Sequence, residues 1–240
     1  MNILSILWDY DGTLVDTTKK NISVTMEVLK NFIPDIYANT PEALTSMDNY
    51  KKANYKYRNW TDLYKNCYGL TEKEVIEAGK LWSPYQLKNT TDPELFPGLK
   101  AVIKNLSHIN HGICSQNCSQ NIFNTLKKFD VAQHFNAIIG YEDIGFDEQK
   151  PNPVPFIKCV DKLQLSLKDG ALIYIGDHQE DTIFAKNAEN YYLTNENTIK
   201  IFTIAASYSG ESTSSWKVKP DYVANKTNDI LSIINEIKTL

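Results

Sequence analysis

The sequence has almost no arginine, few cysteines and no apolar run long enough to span a bilayer. Of its 25 basic residues only Arg58 is arginine, and the net charge is -4 at pH 7, which disfavours a general nucleic-acid-binding protein. The cysteines lack framework spacing, which favours reduced thiols; they are Cys67, Cys114, Cys118 and Cys159. Because the chain enters a strand-like run without a basic leader, we expect a cytoplasmic protein with no membrane partner.

Length and composition predict a globular core that carries a sizeable insertion. The 240 residues exceed the usual size of one domain but are too few for two large ones. Hydrophobic residues make up 42% and charged residues 22% of the chain, which suits a packed globular protein.

Short apolar runs predict buried strands. The first is Ile3–Trp8, and similar runs occupy 112–114, 137–140, 172–176 and 201–205, with a weaker candidate at 222–224. Helical periods lie between them, so strand and helix alternate from about residue 97 onward. Such alternation predicts an α/β fold with a doubly wound parallel sheet, whose ligands bind at the carboxyl ends of the strands.

The interval from residue 17 to residue 92 breaks this alternation, because it has helical patterns and no convincing strand. A capping box of Thr71 and Glu74 predicts a helix start, and one helix face repeats through Ile22, Met26, Leu29 and Phe32. We therefore predict a helical cap domain at 17–92 inserted into an α/β core of 1–16 and 93–240.

Two carboxylates, Asp9 and Asp11, follow the first predicted strand and precede Gly12 and Thr13. One carboxylate in such a position can attack phosphorus to form an aspartyl phosphate. The other can exchange a proton with the leaving oxygen and then with water. An Asp-Gly turn whose acids merely cap the next helix is an equally good interpretation of this motif alone.

Polar groups also follow the later predicted strands. Ser115 can donate its hydroxyl to a phosphate oxygen, beside an anion nest of backbone amides near Gln116 and Asn117. The alternative for Ser115 is a helix N-cap, although Ser119 is the better candidate for that cap. Lys150 taken alone is better explained as a solvated surface lysine. In the stiff run 150–153, which has prolines at 151 and 153, its ammonium would hold Asp9 ionised and reduce the repulsion between Asp9 and a phosphate dianion.

Asp177 and Asp181 are four residues apart beyond a buried strand, so one helical turn would bring both carboxylates to one cavity. Magnesium prefers hard oxygen ligands of this kind. A pair of acids favoured by a helix N-terminus is the competing interpretation.

Together these groups resemble the four signatures of the haloacid-dehalogenase-like superfamily, in order and over essentially the whole chain. The resemblance implies Mg²⁺-dependent hydrolysis of a small phosphomonoester, such as phosphoglycolate or a nucleotide or sugar phosphate, through a phosphorylated Asp9. It also implies the family's helical cap at the insertion. A phosphomutase would use the same residues, and a regulatory module could accept a phosphoryl group without turnover.

The resemblance implies a role for each site residue. The catalytic set is Asp9, Asp11, Ser115 and Lys150, and the metal ligands are Asp9 and Asp177 directly, Asp11 through its backbone carbonyl, and Asp181 from behind them. The phosphate contacts are Gly12, Thr13, Ser115, Gln116, Asn117 and Lys150. His178 departs from the family pattern, where a small hydroxyl residue is commoner, and we expect it to affect the pH profile.

The predicted cap contains many aromatic residues and the only arginine. Most of the aromatic side chains should pack the small domain, while a few could stack on a base or sugar. Arg58 could form a bidentate contact with a second anionic group of the substrate, or be solvated. We expect a monomer or homodimer that acts on a small phosphorylated metabolite and not on a nucleic-acid polymer.

Overall fold

The chain divides into two compact units in the computed structural model, which describes residues 1–57, 59–168 and 170–240. The first unit contains Met1–Asp16 and Leu95–Leu240, and the second is Thr17–Glu94. That these units act as a catalytic core and a cap domain, with the boundaries given above, stays a prediction. No helix within the described residues is long and apolar enough to cross a membrane.

A six-stranded sheet, counted over the described residues, forms the centre of the first unit. The strands of the chain are β1 (Ile3–Trp8), β2 (Val15–Asp16), β3 (Glu94–Leu95), β4 (Asn110–Cys114), β5 (Phe135–Ile139), β6 (Ala171–Gly176), β7 (Lys200–Ala205) and β8 (Tyr222–Val223). The sheet has the order β5-β4-β1-β6-β7-β8, and its strand pairs are parallel. The predicted α/β class with a parallel sheet is confirmed. Strands β2 and β3 form a separate two-stranded sheet.

Helices cover both faces of the six-stranded sheet. The covering helices are α5 (Leu99–Asn105), α6 (Ser119–Lys128), α7 (Val154–Lys162), α8 (Gln179–Thr194) and α9 (Asp229–Thr239). The second unit contains the earlier helices α1 (Thr18–Leu29), α2 (Met47–Lys56), α3 (Trp60–Asn66) and α4 (Glu72–Lys88). Successive side chains of β1 enter opposite clusters, with Ile6 beside residues of α5, α6 and α9, and Leu7 beside residues of α7 and α8. Each such buried side chain contributes about 1.5–3 kcal/mol, so β1 is held from both faces.

The second unit has its own apolar core. The helix face predicted for its first helix is confirmed in part: Leu29 is buried, and Ile22 and Met26 pack half-buried against this core. The pattern missed the buried Val24 and Val28, and α1 ends at Leu29. The predicted capping box is confirmed, since the Thr71 backbone N–H donates to Glu74 Oε2 over 2.8 Å at the start of α4. A helical unit follows from these patterns, although they missed part of the buried face of α1.

Candidate active site

An acidic cluster lies beyond the carboxyl ends of β1 and β6. Asp9 follows β1, Asp177 follows β6, and Asp181 lies in the first turn of α8. The two strands are neighbours with Trp8 paired to Ile175, so the residues after them emerge at the same edge. Carboxylate oxygens of the three buried aspartates all lie within 4.8 Å of one another. This arrangement brings together residues that are up to 172 positions apart in the sequence.

The Lys150 ammonium links two of these carboxylates. Its Nζ lies 2.7 Å from Asp9 Oδ1 and 2.9 Å from Asp181 Oδ1, and its side chain is only 4% exposed. The same Nζ lies 5.2 Å from the ring centroid of Tyr174 and 5.3 Å from that of Phe184, which adds cation–π attraction. Lys150 is therefore a buried residue of the site and not a solvated surface lysine.

Burial and charge act against each other in this cluster. Burial raises the pKa of Asp9, Lys150 lowers it, and the neighbouring aspartates raise it further, with a net upward shift. Burial disfavours the charged Lys150, but Asp181 and Asp9 outweigh that effect and hold the lysine pKa above its ordinary value. Three close carboxylates facing one ammonium leave excess negative charge, and their hard oxygens suit a divalent cation such as Mg²⁺. The residues therefore fit a metal ion, whose identity stays a prediction.

The turn after Asp9 packs against Asp177. Gly12 has a φ of +77°, and a Cβ added to it would lie 2.2 Å from Asp177 Oδ2, so only glycine fits there. Thr13 Oγ1 donates to Asp177 Oδ1 over 3.3 Å. Tyr208 Oη donates to the Thr13 backbone oxygen over 2.8 Å. The turn thus fixes the Asp177 carboxylate from one side. The predicted phosphate contacts of Gly12 and Thr13 stay predictions.

The loop after β4 holds Ser115 and Asn117 near Asp11. The buried Ser115 Oγ accepts a hydrogen bond of 3.1 Å from the Asn117 backbone N–H. Asn117 Nδ2 lies 3.1 Å and 3.0 Å from the two carboxylate oxygens of Asp11. Gln116 Nε2 donates to the Lys150 backbone oxygen over 3.5 Å. The predicted phosphate contacts of Gln116 and Asn117 stay predictions.

Two predictions for residues at helix starts have different outcomes. The N-cap of α6 is Cys118, and the Ser119 N–H and hydroxyl both donate to Glu142 Oε1, so the predicted Ser119 cap is wrong. His178 is the N-cap of α8, and its Nδ1 accepts the Glu180 backbone N–H over 3.1 Å. Its effect on a pH profile stays a prediction. Arg58, the predicted second anion contact, lies outside the described residues.

Sequence reasoning missed Tyr174 and Tyr208. Tyr174 Oη lies 3.1 Å from the Cys114 backbone oxygen and 3.3 Å from Asp181 Oδ1, so its one proton is shared between the end of β4 and the acidic cluster. Its signal was available, because a hydroxyl inside an otherwise apolar strand needs a buried partner. Tyr208 has no such local signal, since it follows β7 and reaches the site only through the fold.

Comparison with known proteins identifies the family. The family model for haloacid dehalogenase-like hydrolases matches residues 6–193. The chain belongs to the haloacid-dehalogenase-like hydrolases. It is similar to a pyrophosphatase PpaX from Bacillus cereus (strain Q1), with 22% identity over 242 residues and 99% of each chain covered.

Solved structures of other haloacid-dehalogenase-like proteins share this fold. A predicted phosphoglycolate phosphatase from Haemophilus somnus 129PT matches with a TM-score of 0.70 and 19% identity, over 98% of this chain and 99% of that one. A haloacid-dehalogenase-like hydrolase from Streptococcus pneumoniae matches with a TM-score of 0.69 and 20% identity, over 97% and 98% of the two chains. At these identities the structures support the fold, and residue roles in this hydrolase rest on its own geometry.

Proposed function

We propose that this hydrolase is a Mg²⁺-dependent phosphatase that cleaves a small phosphomonoester through a phosphorylated Asp9. The observation that carries the proposal is the buried contact of 2.7 Å between Lys150 Nζ and Asp9 Oδ1, within reach of two further carboxylates. An ionised carboxylate is a nucleophile, and the lysine opposes the burial that raises the pKa of Asp9.

The reaction has two steps on these residues. An oxygen of Asp9 bonds to phosphorus while the bond from phosphorus to the leaving oxygen breaks, and Asp11 gives that oxygen a proton. Water then attacks the phosphorylated Asp9, loses a proton to Asp11, and releases phosphate with the carboxylate restored. Each step is an ordinary displacement at phosphorus.

Lys150 and Ser115 balance the charge of the phosphoryl group. Lys150 supplies the buried positive charge beside Asp9. Ser115 Oγ accepts from Asn117 N–H, so its own hydroxyl hydrogen can be donated to a phosphate oxygen. Fixed donors of this kind stabilise the charge of the transition state more than water does.

Asp9 and Asp177 would hold the metal through their carboxylates and Asp11 through its backbone carbonyl, while Asp181 keeps Lys150 in place over 2.9 Å. When bound, Mg²⁺ would supply charge neutralisation at the phosphoryl oxygens. The all-oxygen donor set supports this choice.

The main test is phosphate release from a panel of phosphorylated compounds with and without Mg²⁺. The panel should contain p-nitrophenyl phosphate, phosphoglycolate, nucleotide and sugar phosphates, and pyrophosphate, because curated relatives are named pyrophosphatases. Asp9→Asn should lower turnover at least about 10³-fold while the fold is kept. The exposed Asp35→Asn is the matched control and should remain active.

Full activity of Asp9→Asn would overturn the nucleophile assignment. Slow labelling without repeated turnover would indicate a regulatory module instead, and return of the phosphoryl group to an organic acceptor would indicate a phosphomutase. Either result replaces phosphatase activity as the function.

Metal binding has a separate readout in thermal unfolding. A ligand present at about 100 times its Kd stabilises the folded state by about 2.7 kcal/mol, so Mg²⁺ should raise the Tm of the wild-type protein. Asp177→Asn should weaken this response, whereas the exposed Asp161→Asn should keep it. An equal response in Asp177→Asn would contradict the metal assignment.

A further inference from the structure

All polar groups of Asn117, which lies in the loop after β4, have hydrogen-bond partners. Its backbone N–H donates to Ser115 Oγ over 3.1 Å, and its backbone oxygen accepts from the Tyr141 N–H over 2.9 Å. The residue is only 1% exposed. Backbone and side chain are therefore fixed together, which is unusual for an amide in a connecting loop.

The orientation of the Asn117 amide is determined by its neighbours. Its Oδ1 accepts from the Cys118 backbone N–H over 2.8 Å and from Asn121 Nδ2 over 3.0 Å. A backbone N–H can only donate, so the oxygen of the amide must face it. The NH₂ group consequently faces Asp11, at 3.1 Å and 3.0 Å from its two carboxylate oxygens.

We propose that Asn117 is a positioning residue that holds the Asp11 carboxylate for proton transfer to the leaving group, and that Asn121 in turn holds Asn117. The inference rests on the proposed function, in which Asp11 is the proton donor. Asn117 exchanges no proton itself, because a carboxamide does not ionise near neutral pH. In this role its NH₂ group determines where the Asp11 oxygens lie.

The position of Asp11 explains why such a residue is needed. Asp11 precedes the left-handed Gly12 and is half-buried, whereas Asp9 is buried, so the protein encloses the Asp11 side chain less completely. A displacement of about 1 Å in a reacting group can cost about 10²-fold in rate. Two contacts from one rigid amide restrict the rotation of the carboxylate.

The test compares aryl phosphates that have the same overall shape and different leaving groups. As the bond from phosphorus to oxygen breaks, its electron pair goes to the leaving oxygen, which takes the proton of Asp11. Phenol, like tyrosine, has a pKa of about 10, so phenyl phosphate needs this proton. 2,4-Dinitrophenyl phosphate leaves as a stable anion and needs it far less. The measurement is kcat/KM, because it reports the steps up to departure of the leaving group.

Asn117→Ala should lower kcat/KM for phenyl phosphate about 10²-fold, within the range of general acid catalysis, and for dinitrophenyl phosphate by less than about threefold. Asn121→Ala should change the ratio of the two values in the same direction by a smaller factor. The exposed Asn124→Ala on the same helix is the matched control and should leave the ratio unchanged.

The outcomes separate this inference from the proposed function. If the wild-type protein hydrolyses none of the aryl phosphates with Mg²⁺, the phosphatase proposal fails. If it does hydrolyse them, and Asn117→Ala lowers kcat/KM equally for both substrates or for neither, the positioning role is overturned while the phosphatase proposal stands. If Asn117→Ala does not fold by circular dichroism, the Asn121→Ala ratio decides, and an unchanged ratio rejects the inference.

Discussion

Lys150 Nζ donates to Asp9 Oδ1 over 2.7 Å, although the two residues are 141 positions apart in the chain. Both side chains are nearly excluded from solvent, at 4% and 12% exposure. Removing one partner from a buried ion pair leaves the other charge uncompensated, which costs far more than losing a surface pair. In the proposed function, stability and catalysis therefore depend on the same contact.

Lys150→Met tests that dependence. We expect the free energy of unfolding to fall by about 3–5 kcal/mol, because Asp9 and Asp181 lose their shared cation. We also expect turnover to fall at least about 10²-fold, because the phosphoryl charge loses its buried counter-charge. Urea unfolding and phosphate release measure the two effects. Lys127→Met removes an exposed lysine and should change neither; a Lys150→Met protein of normal stability would show that the pair is not structural.

Gly12→Ala should separate backbone strain from displacement of Asp177. Gly12 and Gly69 have nearly the same φ, +77° and +75°, but a Cβ at Gly12 would lie 2.2 Å from Asp177 Oδ2 and one at Gly69 would meet nothing within 4 Å. A left-handed alanine costs about 1–2 kcal/mol at either position. Only Gly12→Ala must also move the Asp177 carboxylate by about 1 Å, which we expect to lower turnover about 10²-fold.

Gly69→Ala is thus the strain-matched control for that variant. Thermal unfolding should show a lower Tm for both proteins, while phosphate release should fall in Gly12→Ala alone. Equal activity of the two variants would mean that the turn does not position Asp177 for the reaction.

His111 should make the fold sensitive to acid. Trp8 Nε1 donates to His111 Nδ1 over 2.9 Å, and His111 Nε2 lies 3.0 Å from the Leu106 backbone oxygen. The indole can only donate and the carbonyl can only accept, so both contacts are satisfied by the neutral ring with its proton on Nε2. Burial, the largest influence, lowers the pKa of His111 to about 4.

The sign of the pH effect follows from that lowered pKa. In the unfolded chain the His111 pKa is about 6.5, so below this pH the unfolded state binds a proton that the folded state refuses. The contribution of neutral His111 to the free energy of unfolding is fully present above about pH 6.5 and is lost as the pH falls toward 4. The loss is about 2 kcal/mol between about pH 7 and about pH 5. Urea unfolding across this range measures it.

Two glutamine substitutions isolate the contribution of His111. His111→Gln should be less stable near neutral pH but should lose less stability on acidification than the wild-type protein. His108→Gln alters an exposed ring and should keep the wild-type slope. The same slope in His111→Gln and the wild-type protein would assign the acid sensitivity to other groups.

Much of the first unit could be predicted from local patterns. The apolar runs located the strands of the parallel sheet to within a few residues, because strands buried on both faces carry a continuous apolar signal. The α1 face was less predictable, since Val24 and Ile22 are equally apolar and only packing selects the buried one. Ser119 likewise has a good capping side chain, but Glu142 accepts its hydrogen bonds.

Some residues of the candidate site could likewise be predicted from the sequence, and others could not. Asp9, Asp177 and Asp181 could be named from their places after predicted strands, since parallel strands end at one edge, whereas Lys150 was singled out by its resemblance to a family signature. The contact of Asn117 with Asp11 could not, because the direction of an amide side chain depends on its partners and not on its position in the chain. Tyr208 reaches Thr13 from a loop 195 positions away, a distance that no local pattern spans.

The sequence by itself determined the alternation of strand and helix, and with it the edge at which the acidic residues collect, because hydrophobic periodicity and strand direction are local properties. Only the tertiary structure decided which groups touch: Lys150 between Asp9 and Asp181, Gly12 against Asp177, and Asn117 beneath Asp11. Contacts of this kind depend on the distances between segments that are far apart in the sequence, and those distances are set by how the whole core packs.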